Sequence, residues 1–259
     1  MKPINEARIV LVCTDCDNTR ILYHALRDEI PFTRIITEQP VSRKVMIKRR
    51  MKKLGIFTTI SQLIFQAAVV PFVRKTSAER VNQVLEENNL KNLPLPSELV
   101  TAVETVNSDE FTQELAALSP DLVLVNGTRI ISAKTLSKLN CPIINVHVGI
   151  TPLYRGVHGA YWAMANNDAQ NCGVTIHAID KGIDTGAILA QGTVQPSARD
   201  NFITYPYLQF AKAIELLKKV IPSVLKGNIT YLQPPAGRSR LWYHPTIWQY
   251  LANRFKGVK

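Results

Sequence analysis

The chain has 259 residues, of which 46% are hydrophobic and 20% charged; this composition is typical of a globular protein and excludes an intrinsically disordered one. Its length suits one large α/β domain, or one domain with an appendage. The formal net charge of +11 indicates an anionic partner, which could be a nucleotide, a nucleic acid or an acidic membrane surface. Charge alone does not choose among the three.

The cysteines favour a reducing compartment. There are four of them, and the N-terminal stretch MKPINEARIVLV lacks the charge pattern of a signal peptide, so we expect a cytoplasmic protein. Cys13 and Cys16 form a C-x-x-C, but Cys141 and Cys172 stand alone and do not supply the second pair of a zinc site. We therefore expect Cys13 to end the first strand and Cys16 to lie in the following loop.

The first elements predict a βαβ unit. Residues 8–13 form a β-branched run typical of a central parallel strand, residues 18–29 predict a helix capped by Asn18, and residues 32–37 predict a second strand. This order indicates a parallel sheet. The loop CTDCDNT between strand and helix has no glycine, so it does not fit the pyrophosphate of a dinucleotide, which disfavours a Rossmann-type oxidoreductase.

Residues 43–75 are the unusual segment, with a basic run followed by an apolar stretch at 56–73 about as long as a short membrane span. Polar residues interrupt the apolar stretch, and its apolar residues form a helical stripe made of Ile56, Ile60, Leu63, Ile64 and Ala67. We predict an amphipathic helix that packs on the body of the protein or forms a homodimer contact. The basic cluster beside it also suits the surface of an anionic membrane, although a solvated basic face beside a buried helix remains an alternative.

The rest of the chain continues the α/β alternation. Helices are predicted at 77–89 (capped by Ser77), at 107–119 (with a capping box of Asn107 and Glu110), and at 133–139, 160–167 and 204–227; strands are predicted at 99–106, 120–127, 142–148, 172–179 and 186–195. The predicted fold class is α/β, with a Rossmann-like, mostly parallel sheet and helices on both faces. We expect a catalytic domain at 1–227, with a helical insertion at about 43–75, and a C-terminal extension at 228–259.

Polar residues concentrate at strand ends in the second half of the chain. Asn145 and His147 alternate with apolar residues and so point to the same side of their strand, and the loop HAIDKGIDTG places His177, Asp180 and Asp184 after the next strand. Three interpretations are open. The residues form a metal site built from His147, His177, Asp180 and Asp184; or they have structural roles; or they perform acid–base and oxyanion chemistry without a metal.

The stretch NVHVGITPLYRG, followed by CGVTIHAIDKGIDTGAILAQ, resembles the folate-dependent formyltransferases, whose hallmark is N-x-H, a proline-containing loop ending R-G, a strand and a D-x-G-x-D-x-G loop. The resemblance runs from about residue 120 to about 194. It implies the formyltransferase fold, 10-formyltetrahydrofolate as formyl donor and no metal. It assigns Asn145, His147 and Asp184 as catalytic residues, and implies that the folate contacts Arg129, Ile130, Ile131, His177, Asp180 and Gly182.

In the mechanism that the resemblance implies, Asn145 and His147 donate hydrogen bonds to the formyl oxygen while an amine attacks the formyl carbon. Asp184 keeps His147 in the useful protonation state and helps to take the proton from the amine. The sequence departs from the family at Val148 and Gly149, where a small residue and a serine are usual. The first loop, without glycine, disfavours the glycinamide ribonucleotide branch.

The short C-terminal piece is similar to that of sugar N-formyltransferases. We therefore predict a nucleotide-linked amino sugar of a surface polysaccharide pathway, such as that of lipopolysaccharide, as the acceptor, and do not expect nucleic acid. Arg155, His158 and Tyr161 are the candidate acceptor-side residues. Methionyl-tRNA formylation is one alternative, although those enzymes carry a further C-terminal β-barrel domain. Hydrolysis of formyltetrahydrofolate and a non-enzymatic, basic membrane- or RNA-binding module are the others.

Overall fold

The computed structural model describes residues 3–259, and its centre is a seven-stranded sheet with the strand order β3-β2-β1-β4-β5-β7-β8. The first five strands of the chain pair in parallel, whereas β7 is antiparallel to both β5 and β8. The predicted mostly parallel sheet is therefore confirmed. The strands are β1 Ile9–Cys13, β2 Phe32–Glu38, β3 Val100–Val103, β4 Leu122–Asn126, β5 Ile143–His147, β7 Gly173–Ala178 and β8 Ile188–Thr193, while β6 Arg155–Gly156 and β9 Leu241–Trp242 form a separate parallel pair.

Helices cover both faces of the sheet, as predicted. Alternate residues of β1 point to opposite faces and enter two separate hydrophobic clusters. On one face lie α1 Asp17–Leu26 and α9 Tyr205–Leu225; on the other lie α6 Asp109–Leu118 and α7 Ala133–Leu136. This three-layer arrangement leaves the ends of the strands open for a site.

The C-terminal segment packs onto the domain and does not extend away from it. β9 pairs with β6, and the Trp242 ring stacks on Trp162 of α8 Gly159–Ala165 with ring centroids 4.7 Å apart. The last helix, α10 Ile247–Phe255, begins with a capping box in which Thr246 and Gln249 bond each other's backbone N–H. A third, aromatic-rich cluster joins this segment to α8. The domain boundary at residue 227 stays a prediction.

The insertion is helical, but its packing differs from the prediction. After α2 Arg43–Leu54 come α3 Ile56–Ile64, a π-helical turn at Phe65–Val69, α4 Val70–Thr76 and α5 Ala78–Glu87. The predicted stripe is exposed at Ile56, Ile60 and Ile64, so the stripe does not pack on the body, and the alternative of a homodimer contact stays a prediction. The reason is that Phe65 faces the body instead, between Phe202 and Tyr250, at centroid distances of 5.1 and 5.0 Å.

Two predicted helix caps were wrong, and a third is right in position only. Cys16, and not Asn18, occupies the N-cap of α1. Ser77 occupies the N-cap of α5, as predicted, but its hydroxyl donates to the Val73 carbonyl because the chain stays helical through this point. Ser108 caps α6 by accepting from the Phe111 N–H at 3.1 Å. Asn107 instead binds the backbone of Ile130 and Ser132. It therefore fixes a loop after β4.

Phe65 and Phe57 provide a matched test of the insertion, since both lie on the same helical segment. Phe65 is fully buried, whereas Phe57 is 87% exposed. We expect Phe65→Ala to lower the free energy of unfolding in urea by about 3–4 kcal/mol, because it leaves a cavity between aromatic rings. Phe57→Ala should change it by less than about 0.5 kcal/mol. Equal losses for the two variants would contradict the described packing.

Candidate functional site

The register of β5 against β7 places Asn145 directly opposite His177. The Asn145 Nδ2 atom lies 3.1 Å from His177 Nε2, and His177 Nδ1 lies 2.8 Å from the carbonyl oxygen of Ala178. Since a carbonyl oxygen only accepts, His177 carries its proton on Nδ1, and its Nε2 accepts from Asn145. The second amide hydrogen of Asn145 is then available to a ligand.

Asp184 lies beside both histidines. It adopts a left-handed backbone conformation (φ 51°) in the loop after β7, and its Oδ2 accepts from the Gly156 N–H at 2.9 Å. The same oxygen is 3.4 Å from His147 Nδ1, while Oδ1 is 3.7 Å from His177 Nε2. Burial alone raises the pKa of Asp184, but the hydrogen bonds that its carboxylate accepts, that from the Gly156 N–H among them, outweigh burial, and the net pKa is lowered. Asp184 is therefore a carboxylate at neutral pH.

His147 is buried and has both ring nitrogens engaged. Its Nε2 lies 2.7 Å from the Tyr154 carbonyl oxygen, so Nε2 carries the proton and Nδ1 faces Asp184. Burial lowers the pKa of His147, and the Asp184 charge and the Tyr154 carbonyl only partly oppose it. The geometry therefore presents a neutral imidazole that can take up a proton at Nδ1.

Gly149 makes the bond between His147 and Tyr154 possible. A Cβ atom at Gly149 would lie 2.3 Å from the Tyr154 carbonyl oxygen and 2.8 Å from His147 Nε2. Both distances are shorter than a carbon can tolerate. The serine that is usual at this position would therefore displace the carbonyl, and the departure from the family pattern has a structural consequence.

Two adjoining cavities open onto these residues. The first, of about 560 Å³, is lined by the three predicted catalytic residues and by every predicted folate contact, namely Arg129, Ile130, Ile131, His177, Asp180 and Gly182. The second, of about 670 Å³, is lined by residues at or just before the starts of α1 and α9 and by residues of the insertion, which include Asp15, Asp17, Arg20, Gln66, Val70, Arg74, Phe202 and Tyr207. Both are lined by Cys16, Asn18, His158, Pro206 and His244. Volumes of this size hold small organic ligands.

The residues predicted to contact folate differ in the groups that they leave free to contact a ligand in the first cavity. Arg129 directs its guanidinium to the Gln39 carbonyl and to Glu38, and its backbone N–H also donates to Glu38, at 2.8 Å, so its main role is to hold the loop after β4. Ile130 is 57% exposed and gives the first cavity an apolar edge. Asp180 accepts from the Gly182 N–H at 2.9 Å and from Thr185 Oγ1 at 2.7 Å, and therefore shapes its own loop.

Two of the three acceptor-side residues need correction. His158 lines both cavities, with its Nε2 2.9 Å from His244 Nδ1. Tyr161 is only 1% exposed and its hydroxyl accepts from Asn253, because α8 turns its aromatic residues into the core. Arg155 donates to the Ile183 carbonyl at 3.1 Å and holds the loop of Asp184. Neither Tyr161 nor Arg155 lines either of the two cavities.

Sequence reasoning missed several lining residues. Asn126 ends β4 and lines the first cavity, and the same strand-end argument that identified Asn145 could have found it. Gln66, Arg74 and His244 belong to the insertion and the tail, which no motif connects to the site. As for the metal interpretation, residues 3–259 contain no group of three or more His, Cys, Asp or Glu side chains arranged to bind an ion.

Comparison with known proteins identifies the family. The model of the formyl transferase family matches residues 2–206. A methionyl-tRNA formyltransferase of a Nitratiruptor species is 31% identical over 180 residues, which cover 69% of this chain and 53% of the relative. A GDP-perosamine N-formyltransferase of Brucella melitensis biotype 1 is 29% identical over 128 residues, or 49% of each chain. The chain thus spans about half the length of these curated relatives.

The solved structures agree on the fold. A sugar N-formyltransferase from a Shewanella species superposes with a TM-score of 0.53 at 16% sequence identity, over 89% of this chain and 74% of the other. At that identity the likeness concerns the fold alone. Together with the family match over most of the chain, it confirms the predicted family and fold class. The chain belongs to the formyl transferase family.

Proposed function

We propose that this protein is an N-formyltransferase that moves the formyl group of 10-formyltetrahydrofolate to the amine of a nucleotide-linked amino sugar in a surface polysaccharide pathway. The observation that carries the proposal is the pair of adjoining cavities. One contains Asn145, His147 and Asp184, and the other is lined by aromatic rings, two arginines and two aspartates. A transfer reaction needs two substrates to meet in this way.

The first cavity fits the folate donor that the family resemblance implies. Ile130 offers an exposed apolar surface for a flat ring, and the backbone of residues 127–131 supplies polar groups beside it. Asn145 keeps one amide hydrogen for the formyl oxygen, because the other is directed at His177. We therefore place the pterin ring near Ile130 and the formyl group near Asn145.

Asn145 stabilises the developing negative charge, and His147 with Asp184 transfers the proton. As the amine nitrogen bonds to the formyl carbon, negative charge develops on the formyl oxygen, and Asn145 stabilises it with a hydrogen bond. The proton that the amine loses goes to His147 Nδ1, where the Asp184 carboxylate stabilises the imidazolium. The bond from the formyl carbon to the folate nitrogen then breaks, and that nitrogen takes the proton back.

This assignment changes one predicted role. His147 was expected to donate a hydrogen bond to the formyl oxygen, but its Nε2–H is directed at Tyr154 and its Nδ1 faces Asp184. In this geometry His147 acts as the proton acceptor. Asn145 alone of the catalytic trio donates to the oxygen.

The second cavity suits a diphosphate-bearing acceptor. Arg20 is paired with Asp15 at 2.7 Å, whereas no acidic side chain within residues 3–259 lies at ion-pair distance from Arg74. An unpaired arginine beside the aromatic rings of Phe202 and Tyr207 can bind phosphate and stack on a base or sugar. The similarity to a GDP-perosamine N-formyltransferase supports this acceptor class.

Methionyl-tRNA formylation is the second candidate, since a methionyl-tRNA formyltransferase is the relative with 31% identity and the net charge of +11 suits an RNA. A cavity sized for one small acceptor fits a nucleotide sugar better than a tRNA. The dependence of tetrahydrofolate release on the acceptor distinguishes the two candidates.

We expect release of tetrahydrofolate from 10-formyltetrahydrofolate to depend on an amino-sugar nucleotide and not on initiator methionyl-tRNA or glycinamide ribonucleotide. Asn145→Ala and His147→Ala should each slow the release roughly 100-fold or more, because each removes transition-state stabilisation. Release without any amine would indicate a hydrolase, and release that requires methionyl-tRNA would establish the second candidate. Absence of both release and folate-analogue binding would leave the non-enzymatic module.

Substitutions of Arg74 and Lys75 can distinguish an effect on acceptor binding from an effect on the chemical step. Both residues are exposed cations on α4, but only Arg74 lines the second cavity. Arg74→Gln should raise the KM for the acceptor about tenfold by removing a charged hydrogen bond, with kcat changed less than about twofold. The matched control Lys75→Gln should leave both constants unchanged. Equal effects of the two substitutions would exclude a specific contact of Arg74 with the acceptor.

A further inference from the structure

The helix α3 carries polar side chains on its buried side and apolar side chains on its exposed side, which is the reverse of an ordinary surface helix. Its protein-facing side carries Thr59, Ser61 and Gln62, which are buried. Gln62 Nε2 donates to the His244 carbonyl, and the Ser61 hydroxyl accepts from the Ile247 N–H at 3.2 Å. Its solvent-facing side carries large apolar side chains, with Phe57 87% exposed. Packing within the chain does not explain that apolar side.

The exposed apolar surface continues onto α10, which packs against α3. On α10 the exposed apolar residues follow one another at helical spacing, and Trp248 is 73% and Phe255 91% exposed. We call this surface the docking face; it consists of Ile56, Phe57, Ile60, Ile64, Phe72, Trp248, Leu251 and Phe255. Single exposed apolar residues are ordinary, but stripes on two neighbouring helices mark an interaction surface.

Positive charge borders the docking face. The helix α2 packs against α3, has no buried residue, and carries the exposed cations Arg43, Lys44, Lys48, Arg49, Lys52 and Lys53. No acidic residue lies between Glu38 and Glu79 in the sequence. This charge attracts an anionic surface and opposes a second copy of the chain, because a symmetric contact would bring like charges together. Aromatic side chains beside lysines are the pattern of helices that bind anionic membranes.

The same segment is long and apolar enough to cross a membrane, since the helix Ile56–Thr76 has 21 residues. Its contacts oppose a spanning arrangement. Phe65 is fully buried between Phe202 and Tyr250, and Gln66 accepts from Arg50 at 3.1 Å. Crossing the bilayer would break these contacts and expose buried polar side chains to lipid. Lying in the membrane interface keeps all of them.

We propose that the docking face binds the surface of an anionic lipid bilayer, with Phe57, Trp248 and Phe255 inserted at the headgroup level and the cations of α2 against the lipid phosphates. Each such cation strengthens binding by about fivefold near an anionic surface. The inner side of the same helical segment contributes Gln66, Val70 and Arg74 to the second cavity. Membrane binding therefore brings the wall of that cavity to the bilayer surface.

Sedimentation with lipid vesicles tests the proposal on the full chain. We expect binding to vesicles of phosphatidylcholine with phosphatidylglycerol, and weaker binding to phosphatidylcholine alone. Phe57→Ser with Trp248→Ser should weaken binding to the anionic vesicles at least about tenfold, because it removes inserted apolar area. The matched control is Leu93→Ser with Tyr231→Ser, which are exposed apolar residues outside the docking face and should leave binding unchanged.

A second pair of double variants tests how much the positive charge of α2 contributes to vesicle binding. Lys48→Glu with Lys52→Glu should weaken binding to anionic vesicles at least about tenfold, while Lys91→Glu with Lys134→Glu alters the net charge equally but lies elsewhere and should have little effect. None of the four residues is buried, so the unfolding midpoints should stay close to that of the unsubstituted chain. Absence of vesicle binding, or equal losses in the control variants, would overturn the proposal. A dimer in light scattering that Phe57→Ser dissociates would replace it with a homodimer interface.

Discussion

Antiparallel pairing of β7 with β5 sets the positions on which the site depends. It places Asn145 opposite His177, so that one histidine orients the amide whose remaining hydrogen faces the cavity. It also sends the chain after Ala178 away from the C-terminal end of β5. The following loop must therefore turn back over the strand to bring Asp184 to His147, and the left-handed backbone of Asp184 and its bond to the Gly156 N–H complete that return.

The sequence predicted which side chains lie at the end of β5, but not how their ring nitrogens are oriented. The alternation of Asn145 and His147 placed both side chains on one side of a strand, and the family pattern added Asp184. What the pattern could not supply is the direction of each ring nitrogen. That direction depends on the Tyr154 carbonyl, which reaches His147 only because Gly149 leaves room for it. A residue without a side chain thus determines which nitrogen of the histidine is free to take a proton.

Local sequence patterns did not predict how the insertion and the C-terminal segment pack together. An apolar stripe ordinarily faces the core, but on α3 it faces outward, since Gln62 and Ser61 find hydrogen-bond partners in the tail. Those contacts join segments about 180 residues apart, so no local signal reveals them. The same association brings His244 to the boundary of the two cavities. The wall of the second cavity and the exposed apolar side chains thereby lie on two sides of one helical segment.

We propose that a neutral His147, held at Nε2 by Tyr154, takes up the proton of the amine at Nδ1 beside Asp184. Titration of the His147 ring by NMR is the direct test of this protonation. Because burial lowers its pKa, the midpoint should lie below the ordinary value of 6.5. Asp184→Asn should lower the midpoint further, since the Asp184 charge opposes burial more than the Tyr154 carbonyl does. A midpoint above 6.5, or one that rises in Asp184→Asn, would exclude a neutral His147 stabilised on protonation by Asp184.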